Sequence, residues 1–221
     1  MRIHEKTLRI RDVLNDLYPV VEPPLDHNSP FQLLVAVVLS ASTTDLMVNR
    51  VTPALFEAAP TPERMMNLSV AQLQQFIATL GLSQAKAGYL KGLSTQLVEL
   101  HNGEVPNTRE ELVALPGVGR KTANVVLSQV FDIPAFAVDT HIKRLAYRWG
   151  LTKSKNVNII ERDLCRLFPE EWWNSLHIQL IYFGREYCSA QRHDPEHCPI
   201  CSFAGVKKRL REERSKRANK K

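Results

Sequence analysis

Helical punctuation governs this chain from one end almost to the other. Apolar residues recur at helical spacing from Ile3 to Tyr187, and no segment alternates apolar and polar residues over a strand's length between hairpin turns. That pattern predicts an all-α fold of about nine or ten helices. The spacing places them over residues 3–17, 31–39, 44–58, 69–80, 84–101, 108–115, 120–131, 140–149, 157–168 and 171–187. Ser29-Pro30 supplies an N-cap and a proline at the first helical position. The run 31–39 behind it is apolar on every face, so that helix should be central and buried. Ser69 with Gln72, and Thr108 with Glu111, read as capping boxes. Gly81, Asn102-Gly103 and Gly150 are placed to end helices. Residues 19–28, 133–138 and 189–205 are left irregular.

At 221 residues the chain is one large domain or two small ones, with enough length to bury a core. Hydrophobic and charged fractions of 44% and 24% exclude wholesale disorder. The longest apolar run, Leu33 to Leu39, is far too short to cross a bilayer, and the N-terminus carries no apolar leader. The expectation is therefore a soluble cytoplasmic protein without a membrane partner, associated with the nucleoid if bacterial. Its four cysteines are expected to be free thiols or ligands rather than disulfides. The net charge of +6 is unevenly distributed: residues 206–221 hold nine Lys/Arg against two Glu, which leaves 20 against 21 for the rest. A basic tail on a near-neutral body suits a polyanion, nucleic acid first, or simply solvation.

The most informative stretch is Leu115-Pro-Gly-Val-Gly-Arg-Lys-Thr-Ala123. A short capped helix runs into Pro116-Gly117-Val118-Gly119, and a new helix begins at once. Two glycines in that turn permit positive φ and leave backbone N–H groups uncovered, and the next helix adds the positive end of its dipole. The result is a seat for a nucleic-acid phosphate formed by Pro116, Gly117, Val118, Gly119 and Arg120. Leu-Pro-Gly-Val-Gly between two helices is the helix-hairpin-helix signature. Lys121 follows in the first turn, where a phosphate contact is its plainest role. The helix from Lys121 rises roughly 16 Å, and the connector 133–138 spans roughly 20 Å if extended. That length permits Asp139 to return to the level of Lys121. Asp139 also stands where an N-cap is needed, before Thr140 and His141. A neutral lysine amine can attack a sugar C1′ to give a Schiff base, and a carboxylate can accept a proton or stabilise developing positive charge.

These residues closely resemble the endonuclease III family of helix-hairpin-helix DNA glycosylases. The central signature reads Leu115-Pro-Gly-Val-Gly-Arg-Lys-Thr-Ala-Asn-Val-Val126 followed by Val138-Asp-Thr-His141, and the resemblance extends over most of the chain to about residue 201 through Leu39-Ser-Ala41, Thr44-Asp45, Gly81-Leu82 and Lys86-Ala87. It implies two helical lobes, residues 22–132 and residues 1–21 with 133–205, with the active site in the cleft between them and 206–221 as a basic tail. It also implies a monomer that removes oxidised pyrimidines from double-stranded DNA and cleaves 3′ to the abasic site by β-elimination. Lys121 would then be the nucleophile and Asp139 its assistant, with no cofactor required for the chemistry. Leu82 would be a wedge that fills the gap left by a flipped nucleotide. The second wedge position, glutamine in the family, is Ser42 here. His141 would position the site or meet a phosphate. Two alternatives are a monofunctional adenine mismatch glycosylase, against which Lys121 argues, and a non-catalytic DNA-binding module.

The cysteines depart from the family's C-x6-C-x2-C-x5-C pattern for a four-iron, four-sulfur cluster. Cys188 is followed by Cys198-x2-Cys201, and the fourth place falls at Lys207. Cys165 lies inside a predicted helix, where a small buried thiol suffices. Three readings stand open. One is a relic loop without metal, which the missing fourth cysteine favours. Another is a zinc site of Cys188, Cys198 and Cys201 with His193 or His197. The last is a cluster with a substituted fourth ligand.

Overall fold

The computed structural model describes residues 1–218. Lys220 and Lys221 of the basic tail lie outside the described residues. Among those residues there are thirteen α-helices, one 3₁₀ turn and no strand. The all-α expectation holds, and none of these helices is long and apolar enough to cross a membrane. The chain divides into two compact units, one of Pro23–Ile133 and one of Met1–Glu22 with the residues from Pro134 onward.

In the first of these, α2 (Pro30–Leu39) is the central strut. Ser29 accepts from the Gln32 N–H at 3.2 Å, Pro30 opens the first turn, and every residue from Phe31 to Leu39 is buried. Around it stand α3 (Asp45–Ala58), α6 (Ser83–His101) and α8 (Arg120–Val130). The short α4 (Pro62–Asn67) and α5 (Val70–Phe76) pack on α6. α4 is an element the sequence analysis leaves out. It is announced by Thr61-Pro62, the same cap-and-proline pair that opens α2, and Thr61 accepts from the Arg64 N–H. Lys91 closes its other end by donating to the carbonyl oxygens of Met66 and Leu68. The Ser69–Gln72 capping box forms with both of its bonds, at 2.9 and 3.2 Å. The helix it starts ends at Phe76 rather than near Leu80, because the chain continues in three-residue turns that still bury Ile77 and Leu80. At the next cap Thr108 accepts from the Glu111 N–H and opens α7 (Arg109–Ala114).

The other unit holds α1 (Ile3–Leu17), α9 (Thr140–Arg148), α10 (Val157–Leu167), α11 (Trp173–Glu186), α12 (Cys201–Ala204) and α13 (Lys207–Ala218). α11 packs against both α1 and α9, and the core between them gathers Ile10, Leu14, Phe136, Leu145, Trp149 and Phe183. Trp149 meets Phe183 edge-on, with ring centroids 5.6 Å apart. The residues read as a tail start α13, which is fastened to this unit. Arg209 donates to the carbonyl oxygens of Tyr147 and Thr152 at 2.7 and 2.9 Å, and Glu213 pairs with Arg148 at 2.8 Å.

Candidate active-site residues and metal centre

The glycine turn forms as its sequence requires. Between α7 and α8, the Val118 N–H donates to the Leu115 oxygen at 3.1 Å, and both side chains are buried. Gly117 has φ +78°, and a Cβ there would come within 2.8 Å of the Tyr89 ring, so only glycine serves. Gly119 is different. A Cβ there would meet no protein atom within 4 Å, so the fold itself does not demand the small residue. Its absence leaves open backbone at the start of α8, where no side-chain hydrogen bond caps the helix. Gly119, Arg120 and Lys121 are all exposed there, so an anion can approach the helix N-terminus directly.

Asp139 opens α9. It accepts from the Ile142 N–H through Oδ1 at 2.7 Å and is half-buried, so the capping role is real and the carboxylate is held in one orientation. Lys121 belongs to the unit of residues 23–133 and Asp139 to the other. His141 is also half-buried. Its Nδ1 lies 3.0 Å from Arg144 Nη2, a group that can only donate, so the neutral ring carries its proton on Nε2. Burial pushes the His141 pKa down, and Arg144 and Arg185 press in the same direction against the opposing pull of Asp139. The imidazole is therefore neutral at pH 7.

Both wedge candidates sit in left-handed backbone without being glycine. Ser42 has φ +57° and Leu82 has φ +60°, and each is exposed, Leu82 by 69%. A β-carbon in that region costs about 1–2 kcal/mol, and such strain gathers at functional sites. Lys86 ties the two places together, a role not assigned from sequence. Its side chain is buried, and Nζ donates to Thr43 Oγ1 at 3.0 Å, fastening the loop beside Ser42 to the first turn of α6 beside Leu82. Burial lowers the Lys86 pKa.

The loop after α11 brings four donor atoms together. Cys188 Sγ, His193 Nε2, Cys198 Sγ and Cys201 Sγ lie within 4.8 Å of one another. Cys188 Sγ is 3.4 Å from His193 Nε2 and 3.6 Å from Cys201 Sγ. The three thiols are buried and His193 is half-buried. The loop is therefore not short of a fourth donor: His193 stands in the set that Lys207 leaves open in the cysteine pattern. His197 is no part of it: its side chain is 85% exposed and pairs with Asp194 at 2.8 Å. Cys165 lies apart in α10, half-buried against the core. The group does not fit the cubane that the resemblance implies. One of its donors is an imidazole, and a four-iron cluster would spread its thiolates to about 6 Å.

Arg148, which nothing in the sequence marks as special, supports this group. Its side chain is fully buried, and Nη1 donates to the Cys188 oxygen at 2.9 Å, the Cys188 sulfur at 3.1 Å and the Ser189 oxygen at 3.0 Å. Burial works against the charge, but the Cys188 sulfur and Glu213 outweigh it and raise the Arg148 pKa.

Residues 35–170 match the HhH-GPD superfamily base excision DNA repair protein family. Endonuclease III of Bacillus subtilis (strain 168) is 46% identical over 193 residues, covering 87% of this chain and 88% of its own length. A solved non-covalent endonuclease III–DNA complex superposes with a TM-score of 0.90 at 41% identity, over 96% of this chain and all of its own. A trapped endonuclease III–DNA covalent intermediate gives the same TM-score at 39% identity, again over 96% of this chain. The glycine turn at 116–119 and the lysine behind it thus lie within a chain that belongs to the endonuclease III family of HhH-GPD base excision repair proteins.

Proposed function

We propose that the chain is a bifunctional DNA glycosylase and abasic-site lyase that acts as a monomer on duplex DNA bearing an oxidised pyrimidine, in the cytoplasm. The observation that carries this reading is Lys121: an exposed amine in the first turn of α8, directly behind the open glycine backbone of a helix-hairpin-helix. That placement, in a chain similar over nearly its whole length to an endonuclease III captured covalently on DNA, suits a nucleophile.

The turn at 116–119 and the N-terminus of α8 grip a backbone phosphate, with Arg120 adding charge. Leu82 and Ser42 fill the space vacated by the flipped nucleotide. Lys121 Nζ, as the free amine, attacks C1′, and the glycosidic bond breaks with the electron pair leaving on the base. The nitrogen gives one proton to the departing base, and its lone pair then opens the ring to a protonated Schiff base while O4′ takes up a proton. Removal of a C2′ proton then expels the 3′ phosphate, and water hydrolyses the imine to release Lys121. Asp139 accepts a proton or stabilises positive charge on the opening sugar, and its bond to the Ile142 N–H keeps the carboxylate oriented for that task. His141, neutral and held by Arg144, positions α9 or meets a phosphate. None of these steps passes through the Cys/His group.

Borohydride reduction during turnover on DNA containing an oxidised pyrimidine tests the reading. It should yield a covalent protein–DNA adduct that disappears in Lys121→Gln while DNA binding persists. An undiminished adduct in that variant would refute it.

A further inference from the structure

We propose that Cys188, His193, Cys198 and Cys201 hold a single zinc ion, where members of this family are expected to carry an iron–sulfur cluster. The separations decide between the two. Zinc has bonds of ~2.3 Å to sulfur and ~2.0 Å to nitrogen, so a tetrahedral site sets its sulfurs ~3.8 Å apart and its sulfur–nitrogen edges ~3.5 Å. The structure has 3.6 Å from Cys188 Sγ to Cys201 Sγ and 3.4 Å from Cys188 Sγ to His193 Nε2. All four donor atoms fall within 4.8 Å. Four irons and four sulfides do not fit inside that span. Three thiolates and one imidazole are a complete structural zinc set, whereas cubanes are held by four thiolates.

The surroundings match a closed structural site. The donors come from a short stretch of chain: Cys188 just past α11, His193 in the loop, and Cys198 and Cys201 leading into α12. Binding releases the protons of the three thiols, leaving zinc with three thiolates and a neutral imidazole and one net negative charge. The buried Arg148 guanidinium lies against it, donating to the Cys188 sulfur at 3.1 Å, and the Cys201 N–H donates to the Cys198 sulfur at 3.5 Å. Such bonds to ligating sulfurs are the outer shell that a metal site needs. Through Arg148 the ion also braces Glu213 and so the seating of α13. Its role is structural and independent of the lysine chemistry proposed above.

The test is metal analysis of the full-length protein, expressed with both iron and zinc supplied and purified without oxygen. One zinc per chain is expected, with iron and acid-labile sulfide each below about a tenth of the protein and no iron–sulfide absorption in the visible. Exchange of the zinc for cobalt(II) should bring up the intense d–d bands of a tetrahedral thiolate site. His193→Ala should bind zinc at least tenfold more weakly, while His197→Ala should match the parent. Stoichiometric iron, with or without sulfide, would overturn the proposal, as would metal-free protein with an intact fold. The wild-type analysis stands even if His193→Ala fails to fold. Borohydride trapping on the same sample reports the lysine chemistry separately, so either reading can fail without the other.

Discussion

Arg148 and Cys188 meet at two atoms: one guanidinium nitrogen donates to both the carbonyl oxygen and the sulfur of the cysteine, at 2.9 and 3.1 Å. The opposite side of the same guanidinium clasps Glu213 at 2.8 Å. Removing the cation takes away the bonds it donates to the Glu213 carboxylate, the Cys188 carbonyl oxygen and the Ser189 carbonyl oxygen, all in a buried setting. Arg148→Met should therefore destabilise the protein by about 3–5 kcal/mol. Glu213→Gln should cost clearly less, because the arginine keeps its bonds to Cys188 and Ser189. Urea melts of the three proteins check the order.

Asp139 carries two roles that substitution can separate. Asparagine caps helices about as well as aspartate, and alanine forfeits about 1 kcal/mol. Asp139→Asn should thus melt like the parent yet lose at least about 90% of its base-excision rate, through the loss of electrostatic stabilisation. Asp139→Ala should lose both rate and stability. Single-turnover excision beside thermal melts distinguishes the cases, and an Asp139→Asn enzyme at full rate would leave the residue a cap and nothing more.

Leu82 presents the reverse pattern, since its backbone is strained and its side chain is exposed. Leu82→Gly relieves the left-handed conformation and surrenders little burial. It should be as stable as the parent, or up to about 1 kcal/mol more so, while base excision falls at least tenfold. Fluorescence of a base analogue beside the lesion would follow the lost flipping.

His141 gives a pH signature whose sign follows from its depressed pKa. As pH drops below about 6.5, the unfolded chain takes up a proton on this ring that the folded protein refuses, and stability falls. The contribution is intact above that pH and shrinks progressively towards the lower folded-state pKa. His141→Gln should remove this part of the decline. Denaturant melts of both proteins at pH 7 and pH 5 should therefore show a smaller drop for the variant.

Much of this was legible from the sequence because the signals were local. Ser29-Pro30 and the apolar run behind it gave α2 its cap and its central place, and the glycine turn with Lys121 identified itself by composition and spacing. The rest depended on partners far apart along the chain. Lys86 looks like an ordinary surface lysine until α6 places it under Thr43. Arg148 reads as one more basic residue of α9 until Cys188 and Glu213 close round it. His193 carried no mark over His197 as a ligand: only the path of the loop turns one inward and leaves the other in solvent. The basic stretch from Lys207 read as a tail because its charge pattern hides the fastening by Arg209 and Glu213.

The most direct measurement is to locate the bond to DNA. After borohydride reduction on a substrate with an abasic site, the adduct can be digested with protease and nuclease and mapped by mass spectrometry. The sugar remnant is predicted on the Nζ of Lys121, in a peptide spanning the turn at 116–119. A remnant on the terminal amine of Met1, or on any other lysine, would contradict the assignment of the helix-hairpin-helix lysine as the nucleophile.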